Sequence, residues 1–480
     1  LTLSLSKFDR LCVIYFSKNY LENNMKILIL GAGQVGSSAA EHLSREESND
    51  VTVVDSKTEV LRELQDRLDI RTISGHASHP DVLKRAGAED TDIVIALTDS
   101  DETNMLACQI ASTIFNIETK IARIRSGSYL HTEGLFNQEA IPVDVCLSPE
   151  QLVCEHIEQL IQYPGALQVL KFANGEVRLV AAKVNKDGSL VGQKISTLKE
   201  HIPDTEGRIA AIYRNGQSLE PEGDTIIRSG DEVFFIAAKK DIRTFMSEMR
   251  KIDSPVRRVL IAGGGHIGLR LALALENTNH VKIIEHNPER AKIISEQLNK
   301  AIVLVGDAAD EELLLEENID DVDIFCSLTN AEEANILSAM LAKRMGASKV
   351  MALISRPTYA DLVEAGTIDI AVSPKQITIG SLLAYVRGGD VVKVHSLRRG
   401  AAEAIEAVAH GTNETSLVVG KKIEDINLPH GCNIVTIVRE QEVIMAHHDT
   451  IIEQDDHVIL FLTDRRNIIH LEKLFAKDLT

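Results

Sequence analysis

A long internal repeat constrains this chain of 480 residues more than any other feature. The segment Lys26 to Gly36 recurs as Arg258 to Gly268, 232 residues further on. Val51-Thr-Val-Val-Asp55 recurs as Val281-Lys-Ile-Ile-Glu285 at an offset of 230, and the stretch Ile93 to Asn104 recurs as Ile324 to Asn335 at 231. A near-constant offset over a hundred residues is the signature of a duplicated unit. A second, smaller unit repeats as well. Gly192 answers to Gly420, and Asp224-Thr-Ile-Ile227 to Asp449-Thr-Ile-Ile452, where the offset has slipped to 225. The chain is therefore ordered large, small, large, small. The divisions fall at 25–148, 149–252, 253–373 and 374–480. Residues 1–24 precede the strand start at Met25 and are read as a non-native or disordered extension.

The large units alternate continuous apolar strands (26–30, 51–55, 71–74, 92–97, 120–124) with helical patterns such as Gln34 to Leu43 and Lys57 to Leu68. Fully apolar strands alternating with helices predict an α/β fold, a Rossmann-type doubly wound parallel sheet covered on both faces. The small units have short β segments, Gly- and Asp-rich turns and a terminal helix, and predict small α+β domains. Stretches 149–162 and 374–387 open with Ser-Pro and predict linking helices, because proline suits the first helical turn.

Gly31-x-Gly33-x-x-Gly36 follows a strand and opens a helix, and Asp55 ends the next strand. That context is a dinucleotide fingerprint. Gly31 permits a tight turn, Gly33 lets main chain approach a pyrophosphate, and Gly36 lets the helix pack on the strand. The helix N-terminus offers free N–H groups to phosphate. Asp55 accepts ribose hydroxyls and repels a 2′-phosphate. Gly263, Gly265, Gly268 and Glu285 repeat the arrangement, with His266 and Ile267 in place of Gln34 and Val35. Thr98-Asp99 and Thr329-Asn330 follow the fourth strand of each unit, where they contact ligand or cap the next helix. Arg123 ends the fifth strand and serves as a phosphate ligand or an ordinary salt bridge. Asp307, after the third strand of the second unit, is a further candidate; His76, its counterpart, reads as a rim residue.

Composition removes other classes. Lys and Arg number 51 against 71 Asp and Glu, a net charge of −20, with no Trp and 4% aromatic residues. A nucleic-acid binder carries a basic face and stacking rings, so no nucleic-acid partner is expected. No apolar run approaches the ~20 residues of a membrane span, so no direct membrane insertion is expected. Six cysteines without a C-x-x-C pair read as reduced thiols of a cytoplasmic protein. Cys146, Cys154 and His156 lack metal-ligand spacing, so no metal site is expected. P-loop, H-E-x-x-H and G-x-S-x-G motifs are missing, and the small units hold no catalytic cluster. The sequence therefore reads as a sensor rather than an enzyme, with an NAD-dependent oxidoreductase of two fused Rossmann units as the alternative.

The tandem order, the glycine motifs at 31–36 and 262–268, and the stretches Thr98 to Gln109, Lys120 to Ser126 and Val386 to Glu406 resemble the TrkA family, over roughly residues 25–478. Members of that family are cytoplasmic subunits of the bacterial Trk potassium uptake system. The resemblance implies NAD(H) binding, with ATP or ADP at the same sites. It also implies a dimer or tetrameric ring, peripheral on the cytoplasmic face of the inner membrane beneath a TrkH- or TrkG-like potassium-translocating subunit. The nucleotide residues it carries over are Gly31, Ala32, Gly33, Gln34, Val35, Asp55, Thr98, Asp99 and Arg123. Asp99 departs from the Asn frequent there in the family. The helices Glu102 to Phe115 and Glu332 to Met345 carry more apolar residues than one sheet face needs, which predicts a dimer interface.

Overall fold

The computed structural model describes residues 24–46, 49–203, 205–219, 221–251, 254–356, 359, 368–386, 391–397, 402–463 and 467–476; the extension read over 1–24 lies outside them except for Asn24. The first large unit runs β1 (Met25–Leu30), α1 (Gln34–Leu43), β2 (Asn49–Asp55), α2 (Thr58–Gln65), β3 (Arg71–Ser74), α3 (Pro80–Arg85), β4 (Ile93–Ala96), α4 (Asp101–Thr113), β5 (Thr119–Arg123), α5 (Gly127–Leu130) and β6 (Val145–Leu147). All six strands are parallel, in the order β3-β2-β1-β4-β5-β6. This is the Rossmann order, with its topological switch between β1 and β4. The five strands read from the sequence are present within two residues at each end. The sixth has only three residues and no apolar run to announce it.

Helix α6 (Pro149–Gln162) leads into the first small domain: β7 (Ala166–Phe172), β8 (Val177–Lys183), α7 (Leu198–His201), β9 (Gly207–Arg214), β10 (Gln217–Leu219), β11 (Glu232–Ala238) and α8 (Ile242–Met249). Its sheet is antiparallel, ordered β10-β9-β11-β8-β7. The second half repeats the pattern with β12 (Arg258–Ala262), α9 (His266–Leu275), β13 (His280–Glu285), α10 (Pro288–Ser295), β14 (Ile302–Val305), α11 (Glu311–Glu316), β15 (Ile324–Ser327), α12 (Glu332–Arg344), β16 (Lys349–Leu353) and β17 (Ile370–Val372). Then follow α13 (Pro374–Val386), β18 (Val391–Leu397), β19 (Ala402–Val408), β20 (Cys432–Arg439), β21 (Glu442–Met445), β22 (His457–Leu462) and α14 (Ile468–Leu474). The second large sheet is ordered β14-β13-β12-β15-β16-β17, and the second small sheet β18-β19-β22-β20-β21.

The halves exchange their linking helices. Helix α6 leaves the first Rossmann domain, yet its apolar stripe (Val153, Ile157, Leu160, Ile161) is buried with Leu271, Ala272 and Leu275 of α9 in the second. Helix α13 leaves the second, and buries Ile379, Leu382 and Val386 with Ala39, Ala40 and Leu43 of α1 in the first. A third core joins the two small sheets, with Phe172, Ile236 and Phe234 meeting Leu397, Val435 and Phe461. Leucines, isoleucines and valines of one half are thus completed by the other, at about 25 cal/mol per Å² of apolar surface removed from water.

The seam between the small domains also holds polar groups. Glu406, 1% exposed, accepts the Ala173 N–H at 3.0 Å, and its other oxygen lies 2.7 Å from His457 Nδ1. The His395 ring meets Phe172 edge-on at 5.2 Å, with Lys393, Glu406 and His156 as charged or titratable neighbours. Burial pushes both His156 and His395 down to about 4. An unfolded chain takes up these two protons near pH ~6.5, whereas the folded chain does not until about pH 4. Stability from these groups is complete above pH ~6.5 and falls as pH drops toward 4, by about 3 kcal/mol per ring. Urea denaturation across that window is expected to show the loss, and His395→Gln to flatten the curve.

Candidate functional site

Each site lies at the carboxyl ends of a large sheet, where the turns after its first and fourth strands meet. Gly31 has φ +103°, and its N–H donates to Val54 O at 2.7 Å. A Cβ on Gly31 would stand 2.9 Å from Thr98 N, so the two turns touch main chain to main chain. A Cβ on Gly36 would lie 1.9 Å from Gly31 O. Gly36 therefore lets α1 sit on the turn itself, more than on the strand as the sequence suggested. Gly33, which caps α1 from an extended conformation, has nothing within 4 Å of an added Cβ. Its Cα faces open space at the helix N-terminus, where N–H groups stand free of helical partners. Gln34 is exposed and Val35 half-buried against the α1–α13 core.

Asp55 fastens the turn. Ala32 N–H donates to its Oδ2 at 2.6 Å, and Lys57 N–H to its Oδ1 at 2.8 Å. The carboxylate is thereby fixed beside the glycine turn, with lone pairs left to accept further hydrogen bonds. The second half has the same device. Gly264 N–H donates to Glu285 Oε2 at 2.7 Å and Asn287 N–H to Oε1 at 2.9 Å. Gly263 has φ +104°, Gly265 is open, and a Cβ on Gly268 would lie 1.9 Å from Gly263 O. The halves differ in how the turn carbonyl is held: Arg290 Nε donates to Gly264 O at 2.9 Å in the second, where an added Cβ on Gly264 would meet Ile294 at 2.5 Å, and Ser37 Oγ donates to Ala32 O at 2.7 Å in the first. His266 is exposed; Ile267 O lies 3.3 Å from the Cys154 thiol of α6, which burial pushes up to about 12.

The organiser of the fourth-strand turn is a residue that sequence reasoning passed over. Asn104, fully buried on α4, accepts from Thr98 N–H (3.0 Å) and Thr98 Oγ1 (2.7 Å), and donates to Thr98 O and Arg123 O. Asn335 does the same for Thr329 and Leu353 O. The signal was present, since the asparagine recurs at the repeat's own offset. Helix capping falls to Ser100, whose side chain accepts from Thr103 N–H, and not to Thr98 or Asp99. Asp99 and Asn330 are exposed at the turn tips. Asp101 and Glu332 tie the next loop, accepting from the N–H groups of Arg125 and Ser126, and of Ser355 and Arg356.

Arg123 is partly buried, with Nη2 3.0 Å from Glu150 Oε1 on α6; its Nε and Glu150 Oε2 have no partner in the described structure. Of the two readings, the salt bridge is the arrangement present here. Asp307 is exposed, and its Oδ1 accepts the Ala309 N–H, closing a local turn. The His76 and His79 rings lie 4.9 Å apart, tilted by 34°. Thr98 and Gly31 thus meet at the crevice, Asp55 at its lip, and Arg123 one strand away against the linker. Gly36→Ala is expected to cost at least about 3 kcal/mol in chemical denaturation. Gly33→Ala is expected to stay within about 1 kcal/mol of the parent chain.

Comparison with known proteins fits this duplicated geometry. The TrkA-N domain matches residues 27–149 and 259–374, and the TrkA-C domain residues 179–250 and 412–476. The Trk system potassium uptake protein TrkA of Halomonas elongata is 58% identical over 456 residues, covering 95% of this chain and 100% of its own. The protein of the same name from Vibrio alginolyticus is 57% identical over 452 residues, covering 94% and 98%. Among solved structures, the GsuK RCK domain superposes with a TM-score of 0.60 at 16% identity, covering 97% of this chain and 98% of that one. The GsuK channel bound to NAD gives 0.59 at 17%, covering 96% and 80%. With both family domains present twice and relatives matched end to end, the chain belongs to the TrkA family.

Proposed function

We propose that this chain is a nucleotide-sensing regulatory subunit of a potassium uptake system. It binds NAD(H), with ATP or ADP as competitors, in its Rossmann domains and gates a separate TrkH- or TrkG-like membrane subunit. It works as a dimer or tetrameric ring on the cytoplasmic face of the inner membrane, built from the four units bounded at 25, 149, 253 and 374. The names of its relatives and the NAD-bound channel of like fold support this reading. No helix among the described residues is long and apolar enough to cross a membrane, which fits a pore supplied by another chain.

The observation that carries the proposal is the crevice held ready in both halves. An open glycine stands at a helix N-terminus beside a carboxylate already fixed by two N–H donors. Pyrophosphate takes the N-terminal N–H groups of α1, and Asp55 takes the ribose. Helix α1 rests on α13, which enters the second small domain; α9 rests on α6, which enters the first. A ligand that draws on either helix N-terminus therefore biases the angle between a Rossmann domain and the opposite half. The shift it produces is limited by its difference in affinity for the two geometries.

Titration calorimetry with NADH and with ATP tests this. The parent chain is expected to bind two equivalents per chain. Asp55→Ala and Glu285→Ala are each expected to weaken one site by ~10- to 100-fold, a loss of about 1.4–2.8 kcal/mol. Unchanged affinity in both variants would put the nucleotide elsewhere.

A further inference from the structure

Duplicated domains show by contrast where selection has treated one copy differently. Strand β14 closes one edge of the second large sheet, so one side of its main chain has no neighbouring strand among the described residues. That edge is apolar on both faces. Ile302 (54% exposed) and Leu315 (64%) lie on the α11 side, and Val305 (55%) and Ile293 (48%) on the α10 side. The side assignment follows from strand alternation, with Leu304 in the α11 core and Val303 in the α10 core.

The matching edge of the first sheet, β3 with α2 and α3, carries Arg71, Lys84, Ser74 and Glu63 at the corresponding four positions, all exposed. The fold is the same, and the first copy shows that it needs no apolar side chains there. Free edges are ordinarily protected by charge, as Arg71 and Lys84 protect the first; the second has no charge at the matching positions. Its rim carries more acid than base, with exposed Glu289, Glu296, Glu312 and Glu316 against Lys292 and Lys300; Glu312 and Glu316 flank Leu315 on α11, where the first copy has Asp81 and Arg85.

We propose that the β14 edge is a docking surface for a basic, apolar, extended segment of the membrane subunit. The proposal rests on the regulatory reading above. The occupant must bring apolar side chains to cover Ile302, Leu315, Val305 and Ile293, and positive charge to meet Glu312 and Glu316. Cytoplasmic segments of membrane proteins carry an excess of Lys and Arg, which supplies that charge. An extended segment adds to the sheet through the open main-chain groups of β14, with the four apolar residues setting its register. A second copy of this edge brings the same glutamates and meets like charge, so self-pairing is disfavoured.

The test uses the full chain and its purified membrane subunit in nanodiscs, with affinity read by biolayer interferometry. The parent chain is expected to bind, more weakly as salt is raised. Ile302→Lys with Val305→Lys is expected to weaken binding at least tenfold, while Ser74→Lys on the first edge leaves it unchanged. Leu315→Lys, which leaves the strand intact, gives the same loss if the strand variant proves unstable; melting temperature and NADH affinity report that each variant is folded. Parent-like affinity in folded edge variants would overturn this proposal and leave the regulatory reading standing. No association of the parent chain with the membrane subunit would overturn both. A change in sedimentation of the chain alone on Leu315→Lys would assign the edge to a second copy and overturn the proposal.

Discussion

The arrangement of the whole chain depends on where two amphipathic helices bury their apolar stripes. Both α6 and α13 bury the main part of their apolar stripes against a helix of the opposite half. Once both are seated, the two small sheets are brought back to back, and Phe172, Phe234 and Phe461 close the core between them. Separate cores therefore become one fold through the same crossing. The polar groups caught in the seam follow from it: Glu406 takes an N–H from the other small domain because the hairpin carrying Ala173 is pressed against it.

At the ligand crevices the governing constraint is absence of room. Main chain meets main chain at Gly31 and Thr98, and again at Gly36 and Gly31. In the second half the Thr329 methyl also stands 3.0 Å from a Cβ built on Gly263, and other side chains hold each floor from outside. Asn104 and Asn335 supply their donors and acceptors to the fourth-strand turns, and Asp55 and Glu285 supply carboxylates to the glycine turns. A buried asparagine with both ends satisfied is costly to replace and keeps its loop in one shape. The crevice is preorganised by neighbours that need not touch a ligand.

Much of this was legible in the sequence, because repeated apolar strands, glycine spacing and a carboxylate at the next strand end have simple physical causes. The five main strands of each large unit and both linking helices could be read that way. Strands β6 and β17 could not: three residues after a long irregular stretch give no period to detect. The exchange of α6 and α13 was hidden because an apolar stripe reveals that a helix packs, not against what. Arg123 was read with two meanings because its partner, Glu150, lies 27 residues on, across the first turn of a helix whose direction the sequence does not disclose. Asn104 lay in plain view as a repeated residue, but its role depends on burial.

The Arg123–Glu150 pair has a consequence for how such a protein can change over time. Its counterparts in the second half are Leu353 and Lys375, so the pair exists once in the chain. In an association of two identical chains, any mutation alters both sites together, and both must tolerate it. Here the two halves are interlocked like such a pair but are encoded separately in one gene. One site carries a charged link to its linking helix while the other has leucine there. A repeat carried within one chain leaves each half free to differ from the other.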